Sequence, residues 1–203
     1  MTVRSKVLRG SPVTVLRFSP KAPLTDRAFT RLCGANPDLR LERTADGGLV
    51  VMSPAGMETG GRSFRIAQRL ANWIDASGLG IGFDSSTGFR LPNGAIRAPD
   101  ASWLSQERWD ALSAADRKRF GPVCPDFVIE LRSRSDRLTD VRAKMEEYLE
   151  QGARLGWLID PVRKRVLVYR PGRPAETLEK PAELSGEDVL PGFVLNLKGI
   201  LDA

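Results

Sequence analysis

Two stretches, Arg97-Ala98-Pro99-Asp100-Ala101-Ser102-Trp103 and Asp126-Phe127-Val128-Ile129-Glu130-Leu131-Arg132, decide how this chain is expected to fold. Each is typical of a β-strand, and each carries an acid close to apolar residues. A carboxylate that is removed from water needs a partner charge or a metal ion. If both acids face one cleft, they form a site for a divalent cation.

The alternation of side chains along a strand gives the second stretch two different faces. One face carries Phe127, Ile129 and Leu131, and the other carries Asp126, Val128, Glu130 and Arg132. By the same rule, Asp100 shares one side of a strand predicted over 96–104 with Ala98 and Ser102. We therefore expect Asp100 and Glu130 to converge on one ion if the two strands are neighbours.

The remaining hydrophobic spacing and turn residues predict a mixed α/β sheet flanked by helices, in αβββαβ order. Besides the two strands above, the predicted elements are a hairpin of residues 39–44 and 48–52, helices over 62–76, 106–120 and 136–151, strands over 81–85, 88–91, 155–159 and 166–169, and a closing strand over 190–201. We expect residues 1–38 to form an arm and a short helix, and residues 39–203 to form the main part of a single domain.

Lys144 lies on the helix predicted over 136–151, three residues after Val141 and four before Tyr148. This spacing places it beside the buried stripe, so its stem could follow the core edge and bring the ammonium to the two acids. A lysine in that position can orient a water molecule or stabilise a pentavalent phosphate.

The composition excludes several classes of function. The chain has 203 residues, 41% hydrophobic and 28% charged, which is typical of a soluble globular protein. No apolar run approaches the length of a membrane helix, and no signal-peptide core follows the amino terminus, so we expect a cytoplasmic protein. Histidine is absent, which removes Ser-His-Asp and Cys-His nucleophilic sites and imidazole zinc ligands.

The charge and the cysteines add weaker indications. The formal net charge of +6 favours an anionic partner such as nucleic acid. The two cysteines, Cys33 and Cys124, show no disulfide-framework spacing, so we expect both to be reduced. Each candidate site residue also has a structural interpretation: Asp100 as a turn former after Pro99, Glu130 as an ion-pair partner of Arg132, and Lys144 as an ordinary boundary lysine.

From about Leu39 to Gly172 the chain resembles the Uma-two family of putative restriction endonucleases, a branch of the PD-(D/E)XK nuclease superfamily. The similar stretches are Gly48–Pro54, Phe83–Pro92, Arg97–Trp103, Cys124–Ser133, Lys144–Tyr148 and Gly156–Pro161. The resemblance implies a restriction-endonuclease-like mixed β-sheet core and hydrolysis of phosphodiester bonds that depends on Mg²⁺ or Mn²⁺. It also implies that Asp100 and Glu130 are the metal ligands.

The superfamily lysine normally stands two residues after the motif acid, where this chain has Arg132. In this family the lysine is instead on the following helix, where Lys144 matches. Glu58, ahead of the first long helix, and Glu42, in the first hairpin, are candidate additional acidic ligands. Arg132 and Arg134 are candidate contacts for the substrate phosphate.

The expected function is that of a magnesium-dependent DNA endonuclease. One alternative is a catalytically weak or inactive module that keeps the nuclease fold and binds nucleic acid or a protein partner. Another is an enzyme that acts on a phosphate ester other than nucleic acid. A homodimer would suit cleavage of both strands of a duplex, because a twofold axis would relate the two sites.

Overall fold

The computed structural model describes residues 4–6, 13–19 and 23–202. In chain order the elements are β1 (Arg4–Lys6), β2 (Val13–Arg17), α1 (Asp26–Ala35), β3 (Arg40–Arg43), β4 (Leu49–Met52), α2 (Met57–Ser77), β5 (Gly80–Asp84), β6 (Phe89–Arg90), β7 (Ile96–Arg97), β8 (Ala101–Ser105), α3 (Gln106–Asp110), β9 (Phe127–Leu131), α4 (Leu138–Glu150), β10 (Leu155–Asp160), β11 (Arg165–Tyr169), β12 (Glu176–Glu179), β13 (Glu183–Ser185) and β14 (Val194–Asn196). Mixed sheets and helices confirm the predicted mixed α/β class.

The central sheet has the strand order β12-β11-β10-β9-β8-β5. Strands β9 and β10 are parallel, and the other pairs in this sheet are antiparallel. Apolar side chains cover both faces of β9, since Phe127 and Ile129 belong to one core cluster while Val128 belongs to another. The alternation predicted for this strand is therefore confirmed, and Glu130 falls on the side of Val128.

Helices α2 and α4 cover the two faces of the central sheet. Ile66 and Leu70 of α2 are buried at helical spacing in the same cluster as Phe127, and α2 ends at Gly78, whose positive φ closes the helix. Met145 and Tyr148 of α4 are buried in the cluster that contains Val128. The face of α4 that carries these two residues therefore fixes where Lys144 can reach.

A second sheet has the strand order β1-β2-β4-β3-β7-β6. Its β3–β4 hairpin confirms the predicted pairing, with Arg40 opposite Met52 and Arg43 opposite Leu49. Strand β2 also pairs with β4, so residues 13–17 belong to this sheet. Part of the arm expected over 1–38, namely residues 1–3, 7–12 and 20–22, lies outside the described residues.

Helix α2 begins at Met57 and not near residue 62, so Glu58 lies within the helix and not ahead of it. Three other predicted elements are shorter in the structure than expected. The strand expected over 96–104 is divided into β7 and β8, which belong to different sheets, because Pro99 lacks an N–H for strand pairing. The helix expected over 106–120 is only α3, since the Ser113 hydroxyl and Asp116 bond to each other in a local turn that competes with the helix. The closing strand shrinks to β14, between the positive-φ residues Gly192 and Gly199.

Within residues 4–6, 13–19 and 23–202, no helix combines the length and the apolar character that crossing a membrane requires.

Candidate active site

Asp100 and Glu130 are brought together by the pairing of β8 with β9. Ala101 stands opposite Ile129 in this antiparallel pair, so the residue before Ala101 faces the residue after Ile129. The Asp100 Oδ2 atom accepts a hydrogen bond of 2.8 Å from the backbone N–H of Leu131, directly after Glu130. This bond fixes the Asp100 carboxylate at the end of β9.

Lys144 reaches the acids from α4. Its Nζ atom lies 2.7 Å from Glu130 Oε1 and 2.8 Å from Glu42 Oε1, and it donates a longer bond of 3.4 Å to the Ala98 carbonyl oxygen. One helical turn later, the Tyr148 hydroxyl donates to the same Glu130 oxygen at 3.1 Å. Two donors on one face of α4 therefore orient the Glu130 side chain.

Glu42 joins the site from the second sheet, where it lies on β3 with only 2% of its surface exposed. Its Oε1 atom accepts from the Ala98 N–H at 3.0 Å, and its Oε2 atom lies 3.2 Å from Arg97 NH1. Arg97 in turn donates through Nε to Glu147 of α4 at 2.6 Å. The site is thus a charge network that connects both sheets and α4.

Burial is the main cause that shifts the pKa values of Glu130 and Asp100. Burial raises the pKa of Glu130 to about 7, and the charges of Asp100 and Glu42 add to that effect while Lys144 opposes it. Burial also raises the pKa of Asp100, against the opposing influences of Lys144 and the Leu131 N–H.

The pKa values of Glu42 and Lys144 shift in the directions that keep both groups charged. Burial alone would raise the pKa of Glu42, but Lys144 and Arg97 lower it below its ordinary value. Burial alone would lower the pKa of Lys144, but Glu130 and Glu42 raise it above its ordinary value. Lys144 is therefore an ammonium throughout the neutral range, and it acts as a hydrogen-bond donor and not as a proton acceptor.

An open cleft of about 450 Å³ gives access to these groups. The Asp100 side chain retains 21% of its exposure, and the Glu130 and Lys144 side chains retain 9% and 15%. The cleft is also lined by residues of the loop before α2, the first turns of α2 and the start of α4, among them Thr59, Ser63 and Arg137. Its size is within the range of pockets that admit a ligand.

The other candidates from the sequence lie elsewhere. Glu58 is in the first turn of α2, its side chain is 72% exposed, and it lies 3.7 Å from Arg62 without lining the cleft. The structure thus does not bring it to the acid pair. Arg132 NH1 donates to both carboxylate oxygens of the buried Asp160, at 3.0 and 3.1 Å. Arg134 is exposed, between the cleft residues Ser133 and Ser135.

Sequence reasoning overlooked four polar residues that surround the acids. They are Arg40, whose NH2 lies 3.8 Å from Asp100, together with Arg97, Arg137 and the hydroxyl of Tyr148. Tyr148 carried a signal, because it follows Lys144 by one helical turn on the same buried face. The sequence contained no such signal for Arg40 or Arg97, because their contacts depend on how the two sheets pack.

The donor set is suited to a hard divalent cation, which prefers carboxylate oxygens. Asp100 and Glu130 could hold such an ion, with Glu42 occupied by Lys144, Arg97 and the Ala98 N–H. Among the residues that the structure describes, no three His, Cys, Asp or Glu side chains form a metal-binding group. A two-carboxylate site is nevertheless compatible with Mg²⁺, which usually keeps several water ligands.

Comparisons with known proteins identify the family and agree with the observed fold. Residues 26–198 match the sequence model of the Uma2 family, described as a putative restriction endonuclease family. A solved structure of a putative nuclease belonging to DUF820, from Anabaena variabilis, is similar with a TM-score of 0.66 and 19% sequence identity. The similarity covers 79% of this chain and 89% of that chain, and at this identity it shows the fold alone. The chain matches none of the curated proteins.

Proposed function

The chain belongs to the Uma2 family of putative restriction endonucleases, and we propose that it is a metal-dependent endonuclease that hydrolyses phosphodiester bonds in DNA. One observation carries this proposal. Asp100 and Glu130 lie side by side at the end of the β8–β9 pair, open to a cleft, with the Lys144 ammonium 2.7 Å from Glu130. Acids and a lysine so arranged favour cleavage of a phosphate diester.

Asp100 and Glu130 would hold Mg²⁺ or Mn²⁺ through their carboxylate oxygens. When bound, the ion would supply charge neutralisation at the phosphoryl oxygens and a lower pKa for its water. This role is supported by the contacts that hold both carboxylates in place, because the Leu131 N–H fixes Asp100 while Tyr148 and Lys144 fix Glu130. Such preorganisation reduces the reorganisation needed at the moment of reaction.

Lys144 would donate one hydrogen bond to the attacking water or to a non-bridging phosphate oxygen, in exchange for its long 3.4 Å bond to the Ala98 carbonyl oxygen. Glu42 and Glu130 keep it protonated, so it stabilises negative charge and does not accept the proton of the nucleophile. Arg132 occupies the place of the usual superfamily lysine, but its bonds to Asp160 hold it away from this role. Lys144 is therefore our candidate for the missing group.

Basic residues at the cleft would position the DNA backbone. Arg40 and Arg137 line the cleft itself, and Arg134 lies between two lining residues. A guanidinium can bind two phosphate oxygens at once, which orients the scissile group as well as attracting it. We assign this contact to these three arginines, and to Arg132 only if its pairing with Asp160 opens.

The test is a cleavage assay on plasmid DNA with Mg²⁺ or Mn²⁺. We expect cleavage by the native protein, none in EDTA, and a loss of at least about 100-fold in Asp100→Asn and in Glu130→Gln. Glu179→Gln is a matched control, because Glu179 is an exposed acid of β12 outside the cleft. Cleavage that survives both site substitutions would remove Asp100 and Glu130 from the mechanism.

A second candidate function is a binding module that keeps the nuclease fold without turnover. The arginine at position 132 favours it, because arginine transfers protons poorly and here is bound to Asp160. A protein of this kind would bind DNA in the same assay conditions without cutting it. Gel-shift and cleavage measurements on one sample separate the two functions.

A further inference from the structure

A second cavity lies on the opposite face of the β3–β7 part of the sheet. Strand alternation sends Glu42 toward the cleft and its neighbour Arg43 toward the other side, where Arg43 pairs with Asp26 of α1. In the same way, Arg97 lies on the side of Glu42, with which it pairs, and Ile96 lines the second cavity. This cavity, of about 450 Å³, is therefore separated from the candidate active site by the sheet itself.

Arginines dominate the walls of this cavity. They are Arg27 and Arg31 of α1, Arg90 of β6, and Arg119 of the segment after α3. We call the space they enclose the arginine cavity. Two acids also line it, Asp26 and Asp116, and each already has partners in the fold.

Those two acids do not neutralise the cavity. Asp26 is bound by Arg43 and lies 3.6 Å from Arg90, while Asp116 accepts a 2.6 Å bond from the Ser113 hydroxyl. The side chains of Arg27, Arg31 and Arg119 form no ion pair with any described residue. Three exposed guanidinium groups thus converge on one concave space, and their donors have no partner among the residues that the structure describes.

The placement of the arginines on α1 is unfavourable without an anion. Arg27 and Arg31 are four residues apart on the same helix face, and Thr30 lies beside them with a hydroxyl that can donate. Like charges at this spacing repel and weaken a helix. A bound anion would remove that repulsion and use the guanidinium donors, for which phosphate has the matching geometry.

The floor of the arginine cavity is apolar. It includes Ile96 and the half-buried ring of Phe120, which packs against Phe29 at a centroid distance of 5.5 Å. A ligand that combines phosphate groups with a flat apolar part would use both the walls and the floor. A DNA duplex would not, because its bases are stacked inside and its backbone offers only phosphate and sugar to the floor.

We propose that the arginine cavity binds a nucleotide, with its phosphates on Arg27, Arg31 and Arg119 and its base on Phe120 and Ile96. The cavity volume is within the range for small-molecule sites. The site does not depend on the carboxylates of the cleft or on a metal ion, and it goes beyond the proposed nuclease function.

Calorimetric titration with ADP in EDTA tests this proposal, because EDTA removes metal-dependent binding at the cleft. We expect a dissociation constant at or below about 100 μM, weaker binding of pyrophosphate, and still weaker binding of adenosine. The double variant Arg31→Gln/Arg119→Gln should bind ADP at least about tenfold more weakly. Arg154→Gln, which changes an exposed arginine outside the cavity, should bind as the native protein does.

Folding does not confound this comparison, because Arg31 and Arg119 are exposed and their replacement buries no unpaired group. Thermal melts should be within a few degrees of the native protein, which the same samples can show. Absence of ADP and pyrophosphate binding would overturn the proposal, as would unchanged ADP affinity in the double variant. A duplex oligonucleotide that binds here in EDTA while ADP does not would also overturn it, in favour of a backbone contact.

Discussion

Replacing Lys144 by methionine should destabilise the protein strongly. The substitution keeps a chain of similar volume but removes the ammonium that lies 2.7 Å from Glu130 and 2.8 Å from Glu42. Loss of one partner from a buried ion pair costs about 3–5 kcal/mol, because the remaining charge stays buried and uncompensated. For a domain of this size that corresponds to a fall of about 6–20 °C in the melting temperature.

The cost in Lys144→Met should depend on pH with a definite sign. The folded-state pKa of Glu130 is raised to about 7 from the ordinary value of 4.5, so Glu130 retains its proton longer in the folded state than in the unfolded state. Its contribution to stability therefore falls as the pH rises from about 4.5 to about 7. At pH 5 Glu130 is mostly protonated and therefore neutral, so loss of the Lys144 ammonium costs less free energy of unfolding than it does at pH 8.

Urea unfolding at pH 5 and pH 8 measures both effects, with Lys118→Met as the control because Lys118 is exposed. We expect the loss in Lys144→Met to be clearly larger at pH 8 and the control to be within about 0.5 kcal/mol of the native protein. A Lys144→Met protein within about 1 kcal/mol of the native stability at both pH values would refute the reasoning.

Three further outcomes follow from the structure. Glu42→Gln should lower stability by about 1–3 kcal/mol and reduce cleavage, since Lys144 and Arg97 lose a shared partner; urea unfolding and the plasmid assay measure these effects. Gly80→Ala should unfold the protein or cost at least about 3 kcal/mol, because its Cβ would lie 2.2 Å from the Leu104 carbonyl oxygen. In contrast, Gly34 has free space around it, so Gly34→Ala should raise the melting temperature slightly. Burial raises the pKa of the Cys124 thiol to about 12, so iodoacetamide at pH 8 should label Cys124 only after denaturation, as mass spectrometry can show, and rapid labelling of the folded protein would contradict this.

Local patterns were sufficient to predict the strand that carries Glu130 and the helix that carries Lys144. The period of two along β9 places Glu130 on the side of Val128, and the helical spacing of Val141, Lys144 and Tyr148 places the lysine at the edge of the core. Both patterns act over a few residues, so they can be read without knowledge of the tertiary fold.

Contacts between the two sheets could not be predicted in the same way. Glu42 and Arg97 come from different strands, and only the packing of the second sheet brings them to Lys144 and Glu147 of α4. The division of the predicted strand at Pro99 has the same origin. A single proline indicates a break in pairing, but it does not say that β7 joins another sheet.

Calorimetric titration with Mn²⁺ is the most direct test of the central claim, that Asp100 and Glu130 together hold a divalent cation. We expect the native protein to bind the ion at a single class of site, and the double variant Asp100→Asn/Glu130→Gln to lose that binding, while Glu179→Gln retains it. An absence of Mn²⁺ binding by the native protein, or equal affinity in the double variant, would contradict the account.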